Sequence, residues 1–122
     1  MMIDSAVFDT NILIDYSNGS EAAQRVVRTT TIRAISQVTW VEFLVGVPLP
    51  RIDRFKSFLR KNFEIIEPDL ALSDYIIDLR RTRGLKLPDA TIYATAKFLG
   101  VPLITRNTKD FDGRAPDVIV PY

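Results

Sequence analysis

The chain has 122 residues, of which 47% are hydrophobic and 25% are charged, and its formal net charge is +1. These values are typical of one globular domain with a sizeable core, and we expect residues 1–122 to form it. Cysteine and histidine are both absent. Their absence excludes disulfides, zinc–thiolate sites, imidazole bases and Ser-His or Cys-His nucleophile pairs.

No apolar run approaches the roughly 18 residues that a membrane span requires. The N-terminus also lacks a basic region followed by an apolar core, which a signal peptide would show. We therefore expect a cytoplasmic protein without a membrane segment.

Strand and helix patterns alternate along the chain. In chain order they predict a strand ending at Asp9, helices over 10–16 and 21–28, a strand over 31–36, a helix from Thr39 to near Gly46, an amphipathic helix over 51–61, a strand over 63–66, helices over 69–83 and 87–99, and strands over 101–105 and 118–120. Such alternation is typical of a mostly parallel sheet with helices on both faces. The predicted fold class is therefore a three-layer α/β/α domain.

Asp9 ends the first strand, where the apolar run Ala6 to Phe8 gives way to a helix. Aspartate at such a place is a favoured N-cap, because its oxygen accepts backbone N–H groups of the first turn. In open parallel sheets, however, functional sites form just beyond the carboxyl ends of the strands. This stretch alone is compatible with both roles.

Glu42 has a similar ambiguity. Thr39 and Glu42 have the spacing of a capping box, with Val38 and Phe43 placed as a hydrophobic staple, so Glu42 could return to the N-cap N–H. The same helix follows a strand, so its N-terminus also faces the edge at which Asp9 lies. One carboxylate cannot easily cap a helix and bind a metal with the same oxygens, and both possibilities stay open.

Two basic regions can be explained without a ligand. Arg51, Arg54, Lys56, Arg60 and Lys61 surround the apolar face of the helix over 51–61, as on an ordinary solvated helix or on the rim of a nucleic-acid or peptide groove. Three arginines end the helix over 69–83, where cations favour the helix dipole. They could equally follow a phosphate backbone.

Further acids and amides lie at matching places later in the chain. Asp89 is in the first turn of a helix that begins at Leu87-Pro88, and Asn107 and Asp110 follow the strand over 101–105. Asp89 alone could be explained by the helix dipole. Together with Asp9 and Glu42, however, these residues put three or four acids at one edge of the predicted sheet.

Such a cluster persists only if it is protonated or holds a cation. Two carboxylates about 5 Å apart repel by roughly 3 kcal/mol at an effective dielectric near 20, so several pairs rival the stability of a whole domain. Carboxylate oxygens favour hard cations, so we expect Mg²⁺, with Mn²⁺ as a possible substitute. Setting the four acids aside leaves eleven acids against sixteen bases, a basic surface that suits a polyanionic substrate.

Four segments of the sequence resemble the signature segments of PIN domains. They are Asp9-Thr10-Asn11, Val38-Thr39-Trp40-Val41-Glu42-Phe43-Leu44, Leu87-Pro88-Asp89-Ala90 and Thr105-Arg106-Asn107-Thr108-Lys109-Asp110-Phe111. In order, spacing and total length the chain is most similar to the VapC toxins of toxin–antitoxin pairs. The resemblance covers essentially the whole chain.

The resemblance implies a Mg²⁺-dependent endoribonuclease whose metal is held mainly by Asp9 and Asp89, with Glu42 assisting. Thr10 or Thr105 would position water or phosphate. It further implies a homodimer that is inhibited by a small cognate antitoxin, which lays a helix and a tail across the toxin. RNA and the antitoxin are thus the expected partners.

Asn107 departs from the family pattern, since many relatives have an acid at that place. Its amide can still coordinate through the carbonyl oxygen, but it carries no charge. Asp110 could replace the missing acid or could only hydrogen-bond the loop. The fourth ligand, and the choice between one and two metals, stay open.

Two alternatives come from other classes of protein. In a haloacid-dehalogenase-like phosphatase, an aspartate at the end of the first strand attacks phosphate, and Phe8-Asp9-Thr10-Asn11 resembles that motif superficially. The second acid of the motif is Asn11 here, and the chain is too short to include a cap domain. The other alternative is a catalytically inactive PIN-like module that binds RNA or protein. Intact Asp9, Glu42 and Asp89 argue against it.

Overall fold

The computed structural model describes residues 2–122, which form a five-stranded parallel sheet between helices. The strands are β1 (Ile3–Phe8), β2 (Thr30–Ser36), β3 (Glu64–Ile66), β4 (Leu103–Ile104) and β5 (Val118–Ile119). Their spatial order is β3-β2-β1-β4-β5, and every neighbouring pair is parallel. The first strand of the chain, β1, therefore lies at the centre of the sheet. The chain adds β2 and β3 on one side of it and β4 and β5 on the other.

Six helices connect the strands. They are α1 (Thr10–Ser17), α2 (Glu21–Arg28), α3 (Gln37–Val45), α4 (Ile52–Asn62), α5 (Leu70–Arg83) and α6 (Leu87–Leu99), and a short 3₁₀ turn, Leu49–Arg51, precedes α4. Within residues 2–122 no helix is long and apolar enough to cross a bilayer.

Alternate side chains of β1 supply two separate cores. Phe8 is completely buried among residues of α1 to α4, whereas its neighbour Val7 is buried on the opposite face with Leu79 of α5 and Tyr93 of α6. Adjacent residues of a strand point to opposite faces, so an apolar run such as Ala6 to Phe8 needs cover on both sides. The predicted three-layer α/β/α arrangement is confirmed.

The helix α3 begins earlier than the sequence pattern predicts. Its N-cap is Ser36, whose hydroxyl accepts from the Val38 N–H at 3.1 Å, whereas Thr39 is a completely buried residue of the first turn. The predicted capping box of Thr39 and Glu42 is therefore wrong. The strand β2 runs directly into α3, so the last strand residue supplies the cap, and Glu42 lies in the second turn of the helix.

Smaller differences concern the ends of other elements. The predicted strand over 101–105 pairs only at Leu103 and Ile104, and the last strand ends at Ile119. Leu99, the final residue of α6, is 38% exposed. The other predicted helices agree with the observed ones to within about two residues at each end.

Glycine caps place the start of α6 at the carboxyl edge of the sheet. Gly84 ends α5 with a φ of 65°, in the left-handed region that glycine adopts without strain. The chain then reverses through Leu85 and Lys86 into α6, so that Asp89 in its first turn lies near the end of β1.

Candidate active site

Asp9 lies at the centre of the carboxyl edge, and both of its carboxylate oxygens accept hydrogen bonds. Oδ1 accepts from the Thr10 N–H at 2.7 Å, which makes Asp9 the N-cap of α1. Oδ2 accepts from the Thr105 hydroxyl at 2.7 Å and from the Asn11 amide at 3.1 Å. Capping thus uses one oxygen, and the other connects β1 to the end of β4.

The carboxylate of Asp9 is held in an environment that disfavours its charge. The side chain is only 4% exposed, and burial raises its pKa above the usual value. The hydrogen bonds from Thr105 and Thr10 lower the pKa in part, while the negative charges of Asp89 and Glu42 raise it further. The net direction is upward, so burial and repulsion outweigh the hydrogen bonds.

Glu42 is held by Thr10 rather than by its own helix. The buried Thr10 hydroxyl donates to Glu42 Oε1 at 2.7 Å, and it lies 3.1 Å from the Thr39 hydroxyl. The start of α1 and the second turn of α3 are thereby joined beside Asp9. Glu42 does not cap α3, its side chain is exposed, and its described hydrogen bond uses Oε1.

Asp89 faces the same region from α6. Burial raises its pKa, and the charges of Asp110 and Glu42 raise it further, whereas Lys86 lowers it. The charges of Glu42 and Asp110 thus act on Asp89. The charge of Asp89, together with that of Glu42, acts on Asp9. The carboxylates of Asp9, Glu42, Asp89 and Asp110 therefore belong to one electrostatic cluster.

The loop after β4 is organised by Thr105 and Asn107. The Thr105 hydroxyl accepts from the Asn107 N–H at 2.9 Å while it donates to Asp9. Asn107 and Asp110 make two mutual contacts, since the Asn107 amide donates to Asp110 Oδ2 at 2.9 Å and Asn107 Oδ1 accepts from the Asp110 N–H at 3.2 Å. Asn107 therefore shapes the loop, and Asp110 supplies the charge near Asp89.

The side chains in this cluster fit a hard divalent cation. They offer carboxylate, amide and hydroxyl oxygens and no nitrogen or sulfur ligand, which is the set that Mg²⁺ or Mn²⁺ prefers. Over residues 2–122, however, no three acidic side chains are already arranged to hold one ion. The exposed carboxylates of Glu42 and Asp110 would need to turn toward Asp9 and Asp89 to complete a coordination sphere.

Two functional features were missed in the sequence. Asn11 lies within the Asp9-Thr10-Asn11 segment, and its amide donates to Asp9 while its Oδ1 accepts from the Arg106 N–H at 3.1 Å. Beyond it, Arg106 forms a two-point ion pair with Asp15, to which Tyr122 also donates at 2.6 Å. The role of Asn11 could have been inferred from its position two residues after Asp9. The contact of Asp15 with Arg106 and Tyr122 could not, because no local pattern connects these residues.

Comparisons with known proteins agree with this geometry. The PIN domain family profile matches residues 6–115. Ribonuclease VapC1 of Methanocaldococcus jannaschii is 31% identical over 110 residues, which cover 85% of this chain and 76% of that protein. A solved structure described as a toxin–antitoxin complex from Klebsiella pneumoniae is 41% identical, with a TM-score of 0.86, and the match covers 96% of this chain and 98% of the other.

A more distant structure shares the fold. VapBC2 from Rickettsia felis, solved with a DNA fragment from its promoter, has a TM-score of 0.75 at 20% identity and matches 94% of this chain and 96% of its own. The profile match and the VapC1 relative both extend over most of the chain, and all four signature segments lie within residues 6–115. The chain belongs to the PIN-domain family, in the VapC group of that family.

Proposed function

We propose that this protein is a metal-dependent endoribonuclease that acts as the toxin of a toxin–antitoxin pair. The observation that supports this most directly is the grouping of acids at one edge of the sheet, where Thr10 hydrogen-bonds to both Asp9 and Glu42 and the charges of Glu42 and Asp89 act on Asp9. Membership of the VapC group supplies the class of substrate, because the relative from M. jannaschii is described as a ribonuclease.

Asp9 and Asp89 are the proposed main ligands of Mg²⁺ or Mn²⁺, and Glu42 is the proposed third. When bound, the ion would lower the pKa of a water molecule and offset the charge that develops on a phosphodiester. The Thr105 hydroxyl and the Thr10 N–H fix the orientation of Asp9. The Thr10 hydroxyl does the same for Glu42, and Asn107 holds Asp110 near Asp89.

Hydrolysis in this scheme has no covalent intermediate, which separates it from the phosphatase alternative. A haloacid-dehalogenase-like enzyme needs a second acid near Asn11. Asn11 has an amide side chain without a titratable proton, so it cannot act as a general acid; its amide donates to Asp9 and its Oδ1 accepts from the Arg106 N–H. The family match also favours the nuclease over the phosphatase.

Cleavage of total RNA by purified, antitoxin-free protein tests the proposal. With Mg²⁺ or Mn²⁺ we expect discrete fragments that disappear in chelator and in Asp9→Asn. The matched control is Asp4→Asn, which makes the same chemical change at the exposed, opposite end of β1. Fragments that persist in chelator and in Asp9→Asn would contradict it; metal binding without cleavage of any RNA would favour the inactive binding module.

We further propose an antitoxin partner, as the description of the K. pneumoniae complex suggests. A groove lined by Phe43, Val47 and Phe55 lies beside Glu42. The neighbouring side chains of Val45 and Leu49 are 81% and 80% exposed. Apolar surface of this kind suits the apolar face of a partner helix, and its position next to Glu42 would let the partner obstruct the acid cluster.

Copurification from cells that coexpress this protein with a candidate antitoxin tests the partner. We expect Val45→Glu to weaken the complex while RNA cleavage by the free protein is unchanged. Light scattering of the free toxin and of the complex would distinguish the proposed homodimer from a monomer. A stable complex that Val45→Glu leaves intact would show that the antitoxin binds elsewhere.

A further inference from the structure

A cleft of about 300 Å³ lies between α3, α4 and the end of β3. It is lined by Gln37, Trp40, Arg60, Ile65 and Glu67. Gln37 is the first residue of α3, and Glu67 directly follows β3. Both therefore lie at the carboxyl edge, on the neighbouring side of β2 from Asp9. Adjacent strands are roughly 5 Å apart, so Gln37 follows the strand next to β1 and Glu67 follows a strand roughly 10 Å from it. A nucleotide that follows one bound at Asp9 would extend along this edge toward the cleft.

The wall of the cleft combines an aromatic ring with a guanidinium group. Arg60 Cζ lies 5.2 Å from the centroid of the Trp40 ring, in the range of a cation–π contact. Trp40 is half-buried and packs against the core below it, which holds its ring in place. Arg60 forms no ion pair with any residue from 2 to 122, so its charge is available to a ligand.

The polar groups of the cleft are likewise unused. Glu67 lines the same cleft as Arg60, yet the two are not within ion-pair distance of each other. Gln37 and Glu67 are both exposed. The 5.2 Å between Arg60 Cζ and the Trp40 centroid leaves no space for a ring between them. An entering base would therefore take the place of Arg60 on the indole, with an amide and a carboxylate at its edge and the displaced guanidinium free to cover its other face.

We propose that this cleft, the Trp40 cleft, binds one unpaired nucleobase of RNA beside the scissile phosphodiester. The inference rests on the proposed ribonuclease function and adds a specificity site to it. Proteins recognise single-stranded RNA by stacking bases on aromatic rings or arginine planes and by hydrogen bonding to the base edges. Its volume lies at the lower end of the roughly 300–1,000 Å³ of small-molecule sites, as a single base requires.

The chemistry of Glu67 indicates which base is preferred. An ionised carboxylate only accepts hydrogen bonds. Guanine presents two adjacent donors, N1–H and the N2 amino group, on its Watson–Crick edge, whereas uracil presents one N–H between two carbonyl oxygens. Gln37 can donate to or accept from the remaining edge atoms. We therefore expect guanine to bind more tightly than uracil.

Trp40 is the only tryptophan of the chain, so intrinsic tryptophan emission reports on this cleft alone. We would titrate the wild-type protein in chelator with 5′-GMP, 5′-UMP and the corresponding single-stranded tetranucleotides. The expected result is saturable quenching that is stronger for the guanine ligands. Glu67→Gln should reduce the difference between guanine and uracil, and Arg60→Gln should weaken both. The matched control Arg28→Gln, at the exposed end of α2, should behave as wild type.

Substitutions of Trp40 itself give a second readout, by fluorescence anisotropy of a labelled single-stranded RNA. Trp40→Ala should weaken binding roughly tenfold or more, because a stacked base is lost, whereas Trp40→Phe should retain most of the affinity. If Trp40→Ala fails to fold, Trp40→Phe and the exposed Arg60 and Glu67 variants still decide the question.

Failure of this inference and failure of the proposed function give different results. Metal-dependent cleavage without quenching, and with the same base beside the cut in wild type and Glu67→Gln, would overturn the Trp40 cleft and leave the nuclease standing. Saturable quenching by guanine ligands without any cleavage would support the base site and contradict the nuclease. Emission that responds to an antitoxin but to no nucleotide would assign the cleft to the protein partner and overturn the proposal.

Discussion

Asp9 accepts three hydrogen bonds, and its pKa is nevertheless raised. Hydrogen bonds to the charged form usually lower the pKa of a carboxyl group. At Asp9, burial and the charges of Asp89 and Glu42 outweigh that effect. Ionisation of this carboxylate therefore destabilises the folded state.

Asp9→Asn should make the metal-free protein more stable at neutral pH. A pKa that is raised on folding means that the folded state binds protons more tightly, so stability falls as pH rises through the unfolded and then the folded pKa. The amide removes this penalty but loses a good hydrogen bond to Asn11. The substitution removes a repulsion of roughly 1–3 kcal/mol per carboxylate pair and loses one hydrogen bond. The free energy of unfolding should therefore increase by about 1 kcal/mol.

Urea unfolding in chelator at several pH values measures the effect. The difference between Asp9→Asn and wild type should be close to zero below the unfolded pKa of an aspartate and should grow as pH rises to 7. Asp4→Asn is the matched control, because Asp4 is exposed at the end of β1 opposite to Asp9. A mutant less stable than wild type at pH 7 would mean that the acids do not repel one another.

Glu42→Gln should abolish most RNA cleavage with little effect on stability. The glutamine Oε1 can still accept from the Thr10 hydroxyl, and the side chain is exposed and does not cap α3. Loss of one charged ligand should lower the rate by roughly a hundredfold or more, since metal catalysis supplies several kcal/mol. Cleavage rates and thermal melts of the same samples measure activity and stability. Wild-type activity in Glu42→Gln would mean that Glu42 only accepts a hydrogen bond from Thr10 and takes no part in catalysis.

At the scale of single elements, α3 shows why a local pattern misplaced a helix start. Ser36 and Thr39 are both good N-cap residues, and only Thr39 has Glu three positions later. The structure uses Ser36, because β2 leads directly into the helix and Thr39 is needed in the buried contact with Thr10. Local spacing could not distinguish the two, since the deciding contact comes from a residue 29 positions away.

Ser36→Ala should therefore destabilise the protein as the loss of an N-cap does. The expected cost is about 1 kcal/mol, because the Val38 N–H loses its side-chain acceptor. Thr39→Val is the informative comparison, since it keeps the shape of the side chain and changes only its hydroxyl. It should leave the helicity of α3 unchanged by hydrogen exchange, whereas protection lost at its first turn would restore Thr39 as the cap.

The loop after β4 is fixed by residues that lie far apart in the sequence. Arg106 pairs with Asp15 of α1, and the Tyr122 hydroxyl donates to the same carboxylate. Burial acts to raise the pKa of Asp15, but the hydrogen bonds from Arg106 and Tyr122 outweigh it and lower the pKa. This polar cluster ties the last residue of the described chain to the loop that holds Thr105 and Asn107.

A double-mutant cycle of Asp15→Asn and Arg106→Gln should give a coupling energy of only about 0.5–1 kcal/mol, because the guanidinium is half exposed and screened by solvent. The coupling should be present above the ordinary pKa of an aspartate and should disappear as pH falls through the lowered pKa. Urea unfolding at pH 7 and at pH 3 measures it. An equal coupling at both values would mean that the ion pair is not its source.

At the scale of the whole molecule, the sequence predicted the number and type of the elements better than their arrangement. Alternation of strands and helices predicted a parallel sheet with two covered faces, and the strand ends placed Asp9, Glu42 and Asp89 at one edge. The strand order β3-β2-β1-β4-β5 could not be read from local patterns, because pairing between β1 and β4 joins residues almost a hundred positions apart. The Trp40 cleft depends on that order too, since Gln37 and Glu67 meet only because β2 and β3 are neighbours.

Divalent metal should stabilise the whole domain, since an ion that binds only the folded state shifts the unfolding equilibrium. At a hundredfold excess over its Kd, Mg²⁺ or Mn²⁺ should add about 2.7 kcal/mol, or roughly 10 °C in Tm for a chain of this size. The shift should be smaller at pH 5 than at pH 7, because protons compete with the ion for the carboxylates of Asp9 and Asp89, whose pKa values are raised. Thermal melts with and without metal measure the shift. We expect wild type and Asp4→Asn to be stabilised equally by the metal, whereas Asp9→Asn should not be stabilised. A response that Asp9→Asn retains in full would place the ion elsewhere on the protein and would separate the acid cluster from metal binding.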